Sequence, residues 1–181
     1  MSAVIESHHD DHHHGPAKGF SRWLYTTNHK DIGSLYLWFS FIMLFVGGAM
    51  AMVIRAELFE PGSQIVSPEF YNQMVTNHGL IMVFGVIMPA FVGLANWMIP
   101  MQIGAPDMAL PRLNNLSFWI LPAAFGVLLS TFLMEGGAPN FGWTFYAPLS
   151  TEYAPPTVTF FIFSVHILSL IHISEPTRQK P

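Results

Sequence analysis

His78 stands near the start of a long run, Tyr71 to Pro89, that is otherwise suited to lipid. An ionisable side chain within a membrane span is costly, so it usually faces a protein interior, water or a cofactor. Neutral imidazole is also a common haem ligand. The competing reading is a histidine satisfied by a neighbouring helix or lying among lipid headgroups. At 3.6 residues per turn, His78, Met82, Gly85, Pro89, Gly93 and Asn96 fall on one stripe, polar at both ends and small between them. The 18 residues from His78 to Asn96 predict five turns and about 27 Å of rise. Gly85 and Gly93 leave room for a flat ligand or for a close helix, and Pro89 frees a backbone carbonyl for water or a neighbour. The stripe therefore predicts an interior-facing side and leaves open whether that side binds a cofactor.

Asp107 follows this run in a short loop, 102–115, whose two prolines, Pro106 and Pro111, forbid a continuous helix. With Asn96 before it and Asn114 and Asn115 after it, this carboxylate has the makings of a proton collector feeding waters held by amides. An ordinary aspartate paired with Arg112 is the alternative. Arg55 closes the first apolar run, where snorkelling to the interface competes with bonding to a cofactor substituent. Beyond it, Glu57, Glu60, Gln64 and the backbone of Gly62 offer the clustered oxygens that a hard cation such as calcium or sodium accepts, or else a solvated loop.

These residues are held by apolar segments. Hydrophobic residues make up 51% of the chain and charged residues 10%, well below the roughly 25% charged content of soluble domains. Spans are predicted at about 32–54, 71–101 and 116–134. A fourth apolar segment starts near Thr157 and stops at Ser174-Glu175-Pro176. The fold class is all-α, a polytopic transmembrane helix bundle. Gly47-Gly48 in the first span would let a neighbouring helix approach closely. The second span is long enough to tilt or to project beyond the bilayer.

Before the first span lies a polar stretch, 1–19, containing His8, His9, His12, His13 and His14. It reads as a solvated tail with weak metal affinity at most. No apolar core with a small-residue cleavage site precedes the first span, which is expected to act as its own insertion signal. Lys18, Arg22 and Lys30 precede that span and Arg112 follows the second, whereas the loop after the third has neither Lys nor Arg. The positive-inside rule then places the N-terminus and Asp107 in the cytoplasm.

The chain has no cysteine, so histidine and carboxylate must carry any metal chemistry. Its net charge of −4 collects in no large patch, against a nucleic-acid partner. There is no phosphate-cradling glycine loop, no nucleophile motif and no internal repeat.

Three stretches go further than their chemistry: Thr27-Asn28-His29-Lys30-Asp31-Ile32-Gly33, Ile54-Arg55-Ala56-Glu57-Leu58, and the run from Ile103 through Pro106-Asp107 and Pro111-Arg112-Leu113-Asn114-Asn115 to Trp119. In order and spacing, about 20–168 resembles subunit I of the haem-copper cytochrome c oxidases. The resemblance implies a bundle of at least twelve helices holding a low-spin haem a, a high-spin haem and copper. It implies that His78 is one of two axial ligands of the low-spin haem, that Arg55 bonds its formyl group and that Trp143 lies near its propionates. A haem closed by two histidines carries electrons and does not bind oxygen.

By the same resemblance Asp107 opens the D channel, with Asn96 and Asn114 as its amide partners. Glu57, Glu60, Gly62 and Gln64 match an outer calcium or sodium site. The expected partners are other oxidase subunits, including a dicopper subunit II, with cytochrome c as electron donor. The expected location is the cell inner membrane. A quinol oxidase subunit I is the nearest alternative, and a non-catalytic membrane fragment is the alternative of a different class.

Two departures accompany the resemblance. The family's copper ligands, high-spin haem ligand and second haem a ligand lie further along than residue 181, so the oxygen-reducing centre is expected to be missing and the fragment alone inactive. From Ser169 to Pro181 the pattern changes, which predicts a truncated or misassembled reading frame. Resequencing the locus decides that, and an intact transcript ending at Pro181 overturns it. His172 accordingly receives no ligand role, and His166 is read as a helix-packing histidine.

Overall fold

A computed structural model describes residues 19–174. The histidine-rich stretch 1–18 and the final residues 175–181 lie outside the described residues. Among the described residues every regular element is helical.

A short helix, α1 (Phe20–Tyr25), precedes α2 (His29–Glu57). Asn28 caps α2, its side-chain oxygen accepting from the Lys30 N–H at 2.9 Å, which satisfies one of the orphan donors of the first turn. Arg22 of α1 grips Asp31 of α2 through both carboxylate oxygens at 2.9–3.1 Å. Asp31, first through these bonds and then by its charge, raises the guanidinium above its usual range. Asn115 donates to the Thr26 carbonyl at 2.7 Å, so the α1–α2 link is also fastened to the start of the third span.

The second span is a single rod in three pieces: α3 (Pro68–Leu80), a π-helical segment (Ile81–Ile87) and α4 (Met88–Ile103). Ser67 caps it, with Pro68 in the first turn, where a missing N–H costs nothing. Within the wide segment the ladder runs five residues back, as in the Met88 N–H bonded to the Val83 carbonyl. Pro89 follows without an N–H of its own, and Ser40 of α2 donates its hydroxyl to the Val86 carbonyl at 2.8 Å. The five uniform turns predicted between His78 and Asn96 are thus corrected, because a π turn takes up more residues than an α turn. The rod ends at Gly104, whose left-handed φ of 68° suits a residue without Cβ.

The third span, α5 (Pro111–Ser130) with a 3-10 turn at Thr131–Leu133, begins five residues earlier than the predicted 116. Pro111 sits in the first helical turn rather than breaking the helix, which places Asn114 and Asn115 on α5 and not in the loop. Finally, α6 (Val158–Ser174) runs unbroken through 169–174 and buries Ile171.

Among the described residues, three helices are long and apolar enough to cross a membrane: His29–Glu57, Pro68–Ile103 and Pro111–Leu133. Val158–Ile171 is a shorter apolar helix. The second span lies along α2, while α5 packs on α6 and touches α2. The core runs between them through Ile32, Tyr36 and Met43 of α2, Ile81, Phe118, Leu121 and Phe125 of α5, and Phe161 of α6. Outward-facing Phe41, Phe45, Met52 and Phe91 remain exposed, as lipid-facing side chains do in a span.

Candidate functional site

The stripe on the second span does face inward. Gly85, Pro89, Gly93 and Asn96 are buried, and His78 and Met82 are partly so. Its middle, however, is occupied by protein. A Cβ at Gly85 would lie 3.0 Å from the Phe125 ring, and one at Gly93 would lie 3.0 Å from the Gly33 carbonyl oxygen. Of the two uses open to these glycines, close helix packing is the one realised, and no room for a flat ligand remains there. Chemistry is confined to the two ends.

At one end, His78 Nδ1 lies 2.9 Å from the backbone oxygen of Gly47 in α2. A carbonyl can only accept, so Nδ1 carries the proton and Nε2 of the neutral ring carries the lone pair. Metal-bound histidines are usually fixed by this kind of bond on the other ring nitrogen. The close approach depends on Gly47, where a Cβ would stand 2.8 Å from Met82 Sδ. The sequence flagged Gly47 as a site of close approach but not as the acceptor for His78.

Trp143 arrives from the loop between the third and fourth spans. Its Cδ1 lies 3.7 Å from where a Gly79 Cβ would be, so the indole packs on the residue that follows His78. Half of its surface, 52%, is exposed. Arg55 lies eight residues beyond Gly47 on α2, about 12 Å along the axis, and is exposed. His78, Trp143 and Arg55 thus share one end of the bundle, with Trp143 against the residue that follows His78.

Just past Arg55, Glu57 is buried and ends α2. One of its carboxylate oxygens accepts from the Gln64 N–H at 2.8 Å and the other from the Ile65 and Val66 N–H groups at 2.8 and 3.0 Å. Gln64 turns its side chain to the Pro61 carbonyl, and Gly62 takes a positive φ of 109°. Glu60 is exposed. The four residues share one loop, but the carboxylate is engaged chiefly by backbone amides. Among the described residues no three His, Asp or Glu side chains converge as metal ligands.

At the opposite end the side chains of Asn96 and Asn114 meet, Asn114 Nδ2 donating to Asn96 Oδ1 at 3.1 Å in a fully buried position. His29 Nδ1 donates to the Asn96 backbone oxygen at 3.0 Å. His29 lies in the 27–33 motif, and nothing in its residue type marks it as the partner of Asn96. Asn114 Oδ1 has no protein partner among the described residues, a vacancy in hydrogen bonding that a buried water would meet. Asp107 is exposed one loop away, with one oxygen held by the Met108 N–H at 2.8 Å. It makes no ion pair with Arg112 among the described residues, so the pairing alternative is not realised.

His166 is exposed on α6 and bonds the Ile162 carbonyl at 2.8 Å. Among the described residues it packs against no helix interior, since it stays exposed. Two clefts of about 540 and 320 Å³ lie beside Arg112 and His166 respectively, and neither borders His78.

A family model described as Cytochrome C and Quinol oxidase polypeptide I matches residues 31–174. Cytochrome c oxidase subunit 1 of Corynebacterium diphtheriae is 48% identical over 146 residues, 80% of this chain and 26% of that relative. Probable cytochrome c oxidase subunit 1-alpha of Streptomyces avermitilis is 48% identical over 145 residues, 79% of this chain and 25% of that relative. Heme-copper oxidase subunit I+III of Aeropyrum pernix is 44% identical over 153 residues, 81% of this chain and 19% of that relative. The chain spans about a quarter of the length of the first two.

Proposed function

Because the chain belongs to the cytochrome c and quinol oxidase polypeptide I family, we propose that it is a portion of a proton-translocating cytochrome c oxidase subunit that supplies one axial ligand to a low-spin haem a. The observation that carries the reading is the His78 bond to Gly47, which selects the tautomer with its proton on Nδ1 and would leave the Nε2 lone pair for an iron. Bound there, the haem supplies a one-electron iron couple. The protein's part is to hold the imidazole plane by the Gly47 carbonyl and to set the Trp143 indole against Gly79, the next residue. Arg55, at the same end, is assigned to the haem formyl group.

In the full protein the electrons come from cytochrome c through subunit II and reduce oxygen to water. The high-spin haem and copper belong to the remainder of the subunit. The chain lies in a cell inner membrane with its N-terminus cytoplasmic. Oxygen uptake by membranes carrying the full-length oxidase tests the donor: turnover is expected with reduced cytochrome c, and turnover with reduced quinol alone would favour the quinol-oxidase branch.

At the cytoplasmic end, Asp107 collects protons and the Asn96 and Asn114 amides hold the water that receives them. The buried, unpartnered Asn114 Oδ1 supports this use. Asp107→Asn in the full-length oxidase is expected to slow proton uptake and oxygen consumption by roughly tenfold. Losing one positioned proton carrier costs on the order of 10²–10⁴ where no substitute exists, but bulk water can bypass an exposed entrance. Proton uptake followed with a pH dye in vesicles checks it, and an unchanged rate removes Asp107 from the pathway. Glu57, Glu60, Gly62 and Gln64 remain assigned to an outer calcium or sodium ion, which the Glu57 carboxylate would have to take on beside the backbone N–H groups it already holds.

A further inference from the structure

The loop that delivers Trp143 is fastened to the second span at three successive points. Gly137, with φ 69°, lies so close to Gln73 that a Cβ would stand 2.5 Å from its amide nitrogen, and its carbonyl accepts from the Thr157 hydroxyl. Asn77 Nδ2 donates to the Pro139 carbonyl at 3.3 Å and to the Gln73 carbonyl at 2.9 Å. The Thr76 hydroxyl accepts from the Gly142 N–H at 3.0 Å while donating to the Asn72 carbonyl at 2.8 Å. The next residue is Trp143, whose ring settles on Gly79.

Thr76 and Asn77 are 2% and 0% exposed, and they immediately precede His78. Asn77 leaves its own Oδ1 without a partner among the described residues. An orphaned buried acceptor is unfavourable, so an asparagine here is poorly suited to filling space and well suited to donating. Of its two donated bonds, the one to Pro139 ties the helix of His78 to the loop of Trp143, and the other stays within α3.

We propose that Thr76 and Asn77 are positioning residues for the haem pocket, fixing the Trp143 loop at a set height against Gly79, the residue next to His78. The inference rests on the reading of His78 as a haem ligand. Side chains around a ligated group control its solvent access and local dielectric, and through these its redox potential. A loop released from its clasp therefore changes the haem without removing its ligand.

The test uses the full-length subunit in its assembled oxidase, with Thr76→Val and Asn77→Ala separately and together, and Thr76→Ser as the conservative variant. Amide hydrogens in 140–143 are expected to exchange roughly threefold to tenfold faster in each disruptive variant, the scale of one lost hydrogen bond. The low-spin haem band should keep its intensity while its position and midpoint potential move, and Thr76→Ser should restore both. Faster exchange with band and potential unmoved overturns the proposal, as does unchanged exchange. His78→Ala in the same preparation separates the two ideas: a band that survives it sinks the haem reading itself.

Discussion

Replacing His78 with alanine in the full-length subunit is expected to abolish the low-spin haem absorption band and to lower oxygen consumption by at least about 10²-fold. The magnitude follows from comparison with gentler changes. Loss of an outer partner of a metal-bound histidine typically costs about 10- to 100-fold in affinity or activity, and this change removes the proposed ligand itself. Because His78 is only partly buried, truncation leaves no large sealed cavity, and the helices should still assemble. Helix content by circular dichroism should therefore match the parent while the band disappears. A persisting band in a folded, assembled variant would assign the haem to other residues.

The second large effect is steric. Gly33 of α2 and Gly93 of α4 meet backbone to backbone. A Cβ on Gly33 would stand 2.9 Å from the Gly93 oxygen and 2.7 Å from Trp97 Cδ1. The first of these atoms is main chain and cannot rotate away. Gly33→Ala is expected to cost about 1–3 kcal/mol, the usual range for overpacking, and Gly33→Leu to separate α2 from α4 altogether. Separation would also break the His29 bond to Asn96 and draw Asn96 away from Asn114. The measurements are thermal stability of the purified subunit and its yield in membranes: the alanine variant should unfold at lower temperature and the leucine variant should fail to accumulate. Gly48, whose Cβ would meet nothing within 4 Å, is the control, and Gly48→Ala should be near neutral. Equal losses at the two sites would refute a contact-specific cause.

Much of this arrangement was legible in the sequence. Hydrophobic length set the spans, and the spacing of His78, Gly85, Gly93 and Asn96 identified the inward face, because burial in a helix follows its period. What periodicity could not supply was the partner across each contact. Glycine at 85 predicts proximity but does not distinguish a phenylalanine ring from a cofactor. Gly47 offers its backbone oxygen, an atom every residue has, so no residue type marks it as the partner of His78. Pro111 shows the opposite error. Read as a breaker it shortened the third span, although proline is well tolerated in a first turn, and with it Asn114 and Asn115 were assigned to a loop. Thr76 and Asn77 carried no signal beyond polarity, since their roles depend on a loop sixty residues away.

The π-helical segment has a consequence for insertions and deletions. A wide turn stores one residue more than the α turn it replaces, so loss of a residue within 81–87 can be absorbed by rewinding, with His78 and Asn96 kept on their present faces. The same loss in α3 or α4 has no such outlet and would swing everything on one side of it by about 100°. The rod between the two polar ends thus contains a short tolerant stretch flanked by two intolerant arms. Its length can drift by one residue in evolution without separating the imidazole at one end from the amide at the other.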